Sequence, residues 1–316
     1  MIDVVAMGEL LIDFTCQSAD GSGYPTMAAH PGGAPANFLA ALSKFGAKTA
    51  FLGKVGNDAF GRLLRDTLQD AGIDTSGLRI ADDVFTTLAF VTLDASGERE
   101  FSFSRKPGAD TCIRFEELNL SAIDDSKVFH FGSLSLTDEP AATATRKAVA
   151  YAKSKGKLIT YDPNLRKPLW KDLDFARGQL LWGIAQADVV KLSDEEADFL
   201  WGLDPENAAR HMLEHFDVKL VFVTCGAKGC FFCNGKAGGW VPALSGIRAI
   251  DTTGAGDIFG GSALWKLLQT GQSPEELTEA QLRDTVRFAC ASAGLSTLTE
   301  GGISSVPALE QVLERL

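Results

Sequence analysis

Asp251-Thr252-Thr253-Gly254-Ala255-Gly256-Asp257 runs directly into the apolar stretch Ile258-Phe259-Gly260-Gly261-Ser262-Ala263-Leu264-Trp265. From Asp257 to Leu268 the apolar residues recur with helical period, and Gly271 lies just past them as a C-terminal stop. A Gly-x-Gly turn feeding a helix N-terminus leaves backbone N–H groups pointing outward at the positive end of the helix dipole. That arrangement cradles phosphate oxygens. An acid at Asp257 would repel such an anion, unless its carboxylate faces a substrate hydroxyl and takes the proton as phosphate arrives. The plain alternative is an aspartate that caps the helix N-terminus after a flexible loop.

The rest of the chain sets the context. Its 316 residues are enough for one large α/β domain, and 45% hydrophobic residues suffice for a core. A net charge of −11 argues against nucleic acid or an anionic membrane as partner. No apolar run is long enough to span a bilayer. The N-terminus, Met1-Ile2-Asp3-Val4-Val5-Ala6-Met7, has no basic leader and reads as a strand. Six scattered cysteines read as reduced thiols of a cytoplasmic protein. Two metal-like patterns stand out. Cys230 and Cys233 lie in a strand-like run, where a spacing of three sends them to opposite faces. His211-Met212-Leu213-Glu214-His215 matches a zinc-peptidase pattern, but on a helix with an ordinary surface mix.

Taken in order, the chain alternates strand and helix. Val4 to Leu11 reads as a buried strand with Asp13 at its end, and residues 15–31 are polar and rich in Gly and Pro. Pro31-Gly32-Gly33-Ala34-Pro35-Ala36-Asn37 leads into a helix closed by Gly46. From Thr86 to Ser104 the period changes to two, and Ala95-Ser96-Gly97 marks a hairpin turn. Together with residues 13–31, this hairpin is expected to form a small separate sheet. Strand–helix units then resume, and capping boxes are expected at Ser273-x-x-Glu276 and Thr278-x-x-Gln281. Repeated units of this kind predict a mainly parallel sheet covered on both faces, with ligands at the C-terminal strand ends.

Over essentially its whole length the sequence resembles the PfkB (ribokinase-like) sugar kinases. Both signatures of that family are present in order, Gly32 to Asn37 and Asp251 to Asp257. Asp162-Pro163-Asn164-Leu165-Arg166 looks like the branch holding fructokinases and 2-keto-3-deoxygluconate kinases, and Ser104-Arg105 through Asp110 looks like bacterial fructokinases. The resemblance implies a ribokinase-like α/β domain over residues 1–316, with lid segments at about 13–31 and 84–105. It implies phosphorylation of the primary hydroxyl of a ketohexose, most simply fructose, by ATP.

By the same resemblance Asp257 is the catalytic base, and the amides of Gly254, Ala255 and Gly256 hold the transferring phosphate. Asp13, Gly32, Gly33, Asn37, Arg105 and Arg166 would bind the sugar. Lys191, Ser193, Glu196, Thr224, Gly226, Lys228, Gly229 and Cys290 would serve the nucleotide, with Glu196 ordering the waters of Mg²⁺. Ser193 stands where the family has Asn, and Cys290 where Asn or His is common. Asp251, Thr253, Ser296, Thr299, Gly301 and Ser305 would surround K⁺. Relatives also form dimers through such lids, so a homodimer enters as an expectation. The alternatives carried forward are 2-keto-3-deoxygluconate, ribose or a nucleoside as acceptor, and a catalytically silent sugar sensor.

Overall fold

The computed structural model describes residues 1–19, 21–22, 24–93 and 99–316. In chain order its strands begin with β1 (Ile2–Met7), β2 (Leu11–Ala19), β3 (Pro25–Gly32), β4 (Thr49–Gly56), β5 (Ile73–Asp74), β6 (Leu78–Ala81) and β7 (Leu88–Leu93). They continue with β8 (Arg99–Ser104), β9 (Ser126–Gly132), β10 (Leu158–Asp162), β11 (Val189–Ser193), β12 (Leu220–Thr224), β13 (Cys230–Cys233) and β14 (Gly238–Val241). The helices begin with α1 (Ala34–Lys44), α2 (Ala59–Asp70), α3 (Leu120–Asp124), α4 (Ala141–Ser154) and α5 (Leu173–Ile184). They end with α6 (Asp194–Trp201), α7 (Pro205–His215), α8 (Ala255–Thr270), α9 (Glu279–Ser296) and α10 (Leu309–Leu313).

The main sheet runs β14-β13-β12-β11-β10-β9-β1-β4-β5, and β6 also pairs with β4. From β12 across to β4 and its partners every pairing is parallel, while β13 and β14 are antiparallel. Alternation along β1 shows how the layers form. Val4 and Ala6 enter one core, with side chains of α1, α8 and α9, and Val5 and Met7 enter the other, with side chains of α4, α5 and α7. Such strands, apolar on both faces, belong in a sheet sandwiched between helices. The thiols of Cys230 and Cys233 divide between the same two cores, so they cannot share a metal ion.

A second sheet, ordered β3-β2-β7-β8, stands apart. β2 pairs with β7 in parallel and with β3 antiparallel, and β7 with β8 antiparallel. Phe14 joins this sheet to the body, stacking on Phe90 and meeting Phe60 of α2 edge-on, each at 5.4 Å between ring centroids. The expected turn at Ala95-Ser96-Gly97 lies outside the described residues.

Two local expectations need correction. The chain leaves the main sheet after Met7, so Asp13 is not at the end of the first strand. It sits inside β2, opposite His30 of β3. Leu10, Leu11 and Ile12 stay buried through this change of sheet, so Gly8-Glu9 is all that marks it in the sequence. Ser273 makes no side-chain cap and precedes only a 3₁₀ turn, whereas Thr278 and Gln281 cap α9 reciprocally. Among the described residues no helix is long and apolar enough to cross a membrane.

Asp58 fastens α2 to the entry of the small sheet. Its carboxylate accepts from the N–H groups of Phe60, Gly61 and Thr86 at 2.9, 2.8 and 2.8 Å, and from the Thr86 hydroxyl at 2.9 Å. Burial opposes its ionisation, but these donors outweigh it and hold its pKa below the usual carboxylate value. Asp58→Ala should therefore cost about 2 kcal/mol at pH 7, the upper end of an N-cap loss. Because the folded pKa is depressed, that contribution exists above the ordinary value of 3.8 and disappears as pH falls through the folded value. Urea titrations at pH 7 and at about pH 2.5, below the ordinary 3.8, should show the gap between wild type and variant narrowing. A gap that widened on acidification would contradict the assignment.

Candidate active site

The turn Asp251–Gly254 is held from both ends. Asp251 Oδ1 accepts from the Thr253 N–H at 3.0 Å and the Thr253 hydroxyl at 2.7 Å, and Oδ2 accepts from the Gly301 N–H at 3.0 Å. Gly254 adopts φ 75° as the N-cap of α8, a left-handed conformation that costs glycine little. Asp257 is then the third residue of the helix and not its cap, which disposes of the plain capping alternative. α8 lies tight against α1 because Gly261 has no side chain, since a Cβ there would collide with the Phe38 carbonyl. The close approach brings Asn37 Nδ2 within 2.9 Å of Asp257 Oδ2, to which it donates.

Two cavities meet at this turn. One, of about 360 Å³, lies between the sheets and is lined by Glu9, Asp13, Gly33, Asn37, Asn164, Arg166, Asp251, Gly254 and Asp257. Gly32 stands at its edge, its bare α-carbon against the Asp13 carboxylate. The other, of about 330 Å³, is lined by Thr224, Gly226, Gly229 and Cys290 together with Ala255 and Gly256. Thr252 lines both. The amide-rich turn is thus the partition between two binding spaces, and Asp257 faces the first.

Behind the partition lies a buried charge cluster. Lys191, at the middle of β11, donates from Nζ to Asp162 Oδ2 at 2.9 Å. It also packs under Gly256, where a Cβ would come within 2.9 Å of Nζ. Burial alone would lower the Lys191 pKa, but Asp162, Glu196 and Asp257 raise it, so the ammonium stays charged. This puts a fixed positive charge beneath the glycine turn of an acidic chain. Glu196 accepts from the Ser193 N–H at 2.8 Å and the Leu165 N–H at 2.7 Å, and its own N–H donates to Ser193 Oγ at 3.1 Å. Ser193 therefore serves as a helix cap that orients Glu196. Asp162 Oδ1 is buried without a partner, a free lone pair suited to a cation or a water.

Burial is the main force on the acids. It raises Asp257 to about 7, with Asp162 adding to the rise and Lys191, Asn37 and Arg166 opposing it. Asp13 rises to about 6, where Arg166 opposes burial and Asp251 adds to it. Glu9 rises to about 7 against the backbone N–H groups that it accepts from, one of them Ala34 at the start of α1. A buried acid near 7, hydrogen-bonded in a cleft, fits a general base at neutral pH.

Some expected residues are elsewhere. Arg105 does not line the first cavity. Its guanidinium is buried on Asp110 at 2.7 Å and donates to the Thr137 hydroxyl and the Leu134 carbonyl, both at 2.8 Å. Lys228 is exposed and outside the lining of the second cavity. Around the expected cation loop, Gly301 is tied to Asp251, and Ser296 and Ser305 donate to the carbonyls of Ala293 and Gly302, which leaves their oxygens as acceptors. Thr299 is exposed. His211 and His215 stack on each other at 4.2 Å on α7, far along the chain from either signature.

Glu9, Asp162 and Asn164 were missed as site residues. All three stand at or just past the C-terminal ends of parallel strands, where open α/β sheets bind ligands, and that position was the available signal. Asn164 carried a second one. Among the described residues it is the one non-glycine with positive φ, 46°, a conformation asparagine tolerates.

The pfkB family carbohydrate kinase profile matches residues 1–309. The chain belongs to the PfkB carbohydrate kinases. It is accordingly a phosphotransferase with an alcohol acceptor, a sugar kinase. It is 42% identical to fructokinase-2 of Solanum lycopersicum, an alignment covering 99% of this chain and 95% of that protein. Its fold is similar to fructokinase with bound ATP from Xylella fastidiosa, with a TM-score of 0.91, 33% identity and coverage of 99% and 98%. It is also similar to a double-mutant fructokinase of Vibrio cholerae O395 bound to fructose, ADP and potassium ion, with a TM-score of 0.88, 31% identity and coverage of 100% and 98%.

A kinase whose base is Asp257 should show kcat/KM for the sugar climbing with pH and levelling above about 7. The same pKa has a stability consequence. Between the ordinary 3.8 and about 7, folded Asp257 keeps a proton that the unfolded chain has released, so wild-type stability falls across that window. Asp257→Asn escapes this loss. Its stability advantage over wild type should be larger at pH 8 than at pH 5, measured by urea titration. A pH-independent gap would show that Asp257 does not hold a raised pKa.

Proposed function

We propose that this kinase transfers the γ-phosphoryl group of ATP to the 6-hydroxyl of fructose. The observation that carries this reading is the pair of cavities sharing one glycine turn, with Asp257 on the sugar side of it. Asp13, Gly33, Asn37 and Arg166 hold the sugar, and Asn37 fixes the Asp257 carboxylate so that a free lone pair faces the acceptor hydroxyl. Asp257 removes the hydroxyl proton as the oxygen attacks phosphorus. Positive charge for the phosphoryl oxygens comes from the amides of Gly254 and Gly256 and from Lys191 below them, while the Ala255 N–H, expected to join them, donates to the Thr252 carbonyl at 3.3 Å. Phosphoryl transfer draws most of its acceleration from such positioning and charge stabilisation.

Asp162, with its unpartnered oxygen, and Glu196 are suited to hold Mg²⁺ and its waters. Bound there, the ion would neutralise charge on the nucleotide phosphates. Asp251 ties the signature turn to the Gly301 loop, and the free lone pairs of Ser296 and Ser305 suit K⁺, whose charge would reinforce the turn as an anion site. The small sheet covers the sugar cavity and would exclude water during transfer. A homodimer through that sheet belongs to the same reading by family resemblance. The six free cysteines support a reducing, cytoplasmic setting.

Charge favours fructose over a sugar acid. Glu9, Asp13, Asp251 and Asp257 line the cavity against one guanidinium, Arg166, because Arg105 is neutralised by Asp110. A carboxylated acceptor would enter a field of its own sign. In a coupled ADP-release assay, kcat/KM for fructose should exceed that for 2-keto-3-deoxygluconate by tenfold or more, about 1.4 kcal/mol. A preference for the sugar acid would overturn the fructose assignment and leave the kinase chemistry in place.

A further inference from the structure

The second cavity has an unusual chemistry for a site that must tell one base from another. Its lining carries no charged side chain: Lys228 and Arg248, beside it in sequence, are exposed and outside it, and Asp251 and Asp257 line the other cavity. The hydroxyl proton of Thr224 is donated to the Leu192 carbonyl at 3.3 Å, and that of Thr297 to the Gly294 carbonyl at 2.7 Å. Cys290 contributes a buried thiol whose pKa burial pushes up to about 12, so it stays neutral and is a weak hydrogen-bonding group. One wall is the flat surface of α9 at Gly294, where an added Cβ would press on Leu244 at 3.1 Å. The mouth is formed by Gly226, Ala227 and Ala249, all exposed.

We infer that this slot accepts the base of the phosphoryl donor by shape, so that purine nucleoside triphosphates replace one another with little loss. The inference rests on reading the second cavity as the nucleotide site. A planar ring packs on the apolar wall that Leu244, Ile247 and Gly294 form together, its polar edge meeting water at the open mouth. No lining side chain is committed to N1 or to the exocyclic group that separates adenine from guanine or hypoxanthine. The discrimination available to an apolar slot is correspondingly small. Pockets that rely on packing separate near-isosteres by only about 10–200-fold, whereas sites that hydrogen-bond the distinguishing group reach about 10⁴-fold or more. Cys290 is the residue that sets this tolerance, because its position lines the slot and a carboxamide there could read an adenine edge.

The test compares kcat/KM for ATP, GTP and ITP at saturating fructose and constant Mg²⁺. The expected values for GTP and ITP lie within a hundredfold of that for ATP, and a larger preference for ATP overturns the inference. Cys290→Asn should raise the ATP-to-GTP ratio by about tenfold, while an unchanged ratio would show that Cys290 does not face the base. If the Asn variant fails to fold, Cys290→Ser supplies the hydrogen-bonding group in nearly the same volume. Calorimetric binding of ADP, GDP and IDP to the wild-type protein needs no acceptor sugar. Comparable affinities there would uphold the inference even if fructose proved to be the wrong acceptor, and selective binding of ADP would refute it.

Discussion

The contact between α1 and α8 is the constraint on which the site depends. Gly261 lets the helices close until the Phe38 carbonyl occupies the space of a missing side chain. That closeness puts Asn37 onto Asp257 at 2.9 Å, although 220 residues separate them. α1 leaves the small sheet directly after β3, and α8 leaves the signature turn, so this one bond joins the small sheet to that turn. Both helices begin at glycines, Gly33 and Gly254, and the first N–H of α1 is taken up by the buried Glu9 carboxylate.

Charge placement follows from the same geometry. With a net charge of −11, the chain cannot attract a triphosphate by its overall field. It instead buries one ammonium, Lys191, beneath the turn and keeps it charged with Asp162, Glu196 and Asp257. Those acids have opposing demands. Asp162 adds to the burial that holds a proton on Asp257, and Lys191 pulls the other way, which leaves the base near neutrality. Removing Lys191 would leave uncompensated buried carboxylates, so its cost to folding and its cost to catalysis are linked.

Both family signatures were legible because each is a short contiguous string whose spacing carries its mechanism. Strand–helix alternation likewise announced the parallel sheet, and the change to period two announced the small sheet. What escaped depends on neighbours distant in the chain or on chemistry that a motif hides. Asp162 enters the sequence reading only as part of a branch motif, because nothing near it reveals Lys191, 29 residues on, as its partner. Arg105 read as a ligand for the sugar because an arginine in a family motif does not disclose that Asp110 neutralises it. The departure of Asp13 from the first strand escaped because apolar residues resume straight after Gly8 and Glu9, now in the other sheet.

The central claim is that Asp257 takes the proton from the sugar at the turn dividing the two cavities. Its most direct test is the rate of the chemical step in Asp257→Asn, with fructose and nucleotide affinities measured separately by calorimetry, since KM need not equal Kd. The asparagine keeps the shape and the bond from Asn37 while removing the base. The account predicts a fall in kcat of roughly 10²–10⁴-fold with both affinities little changed, the range for loss of general-base help. A variant that phosphorylated fructose at near-wild-type kcat at neutral pH would contradict it.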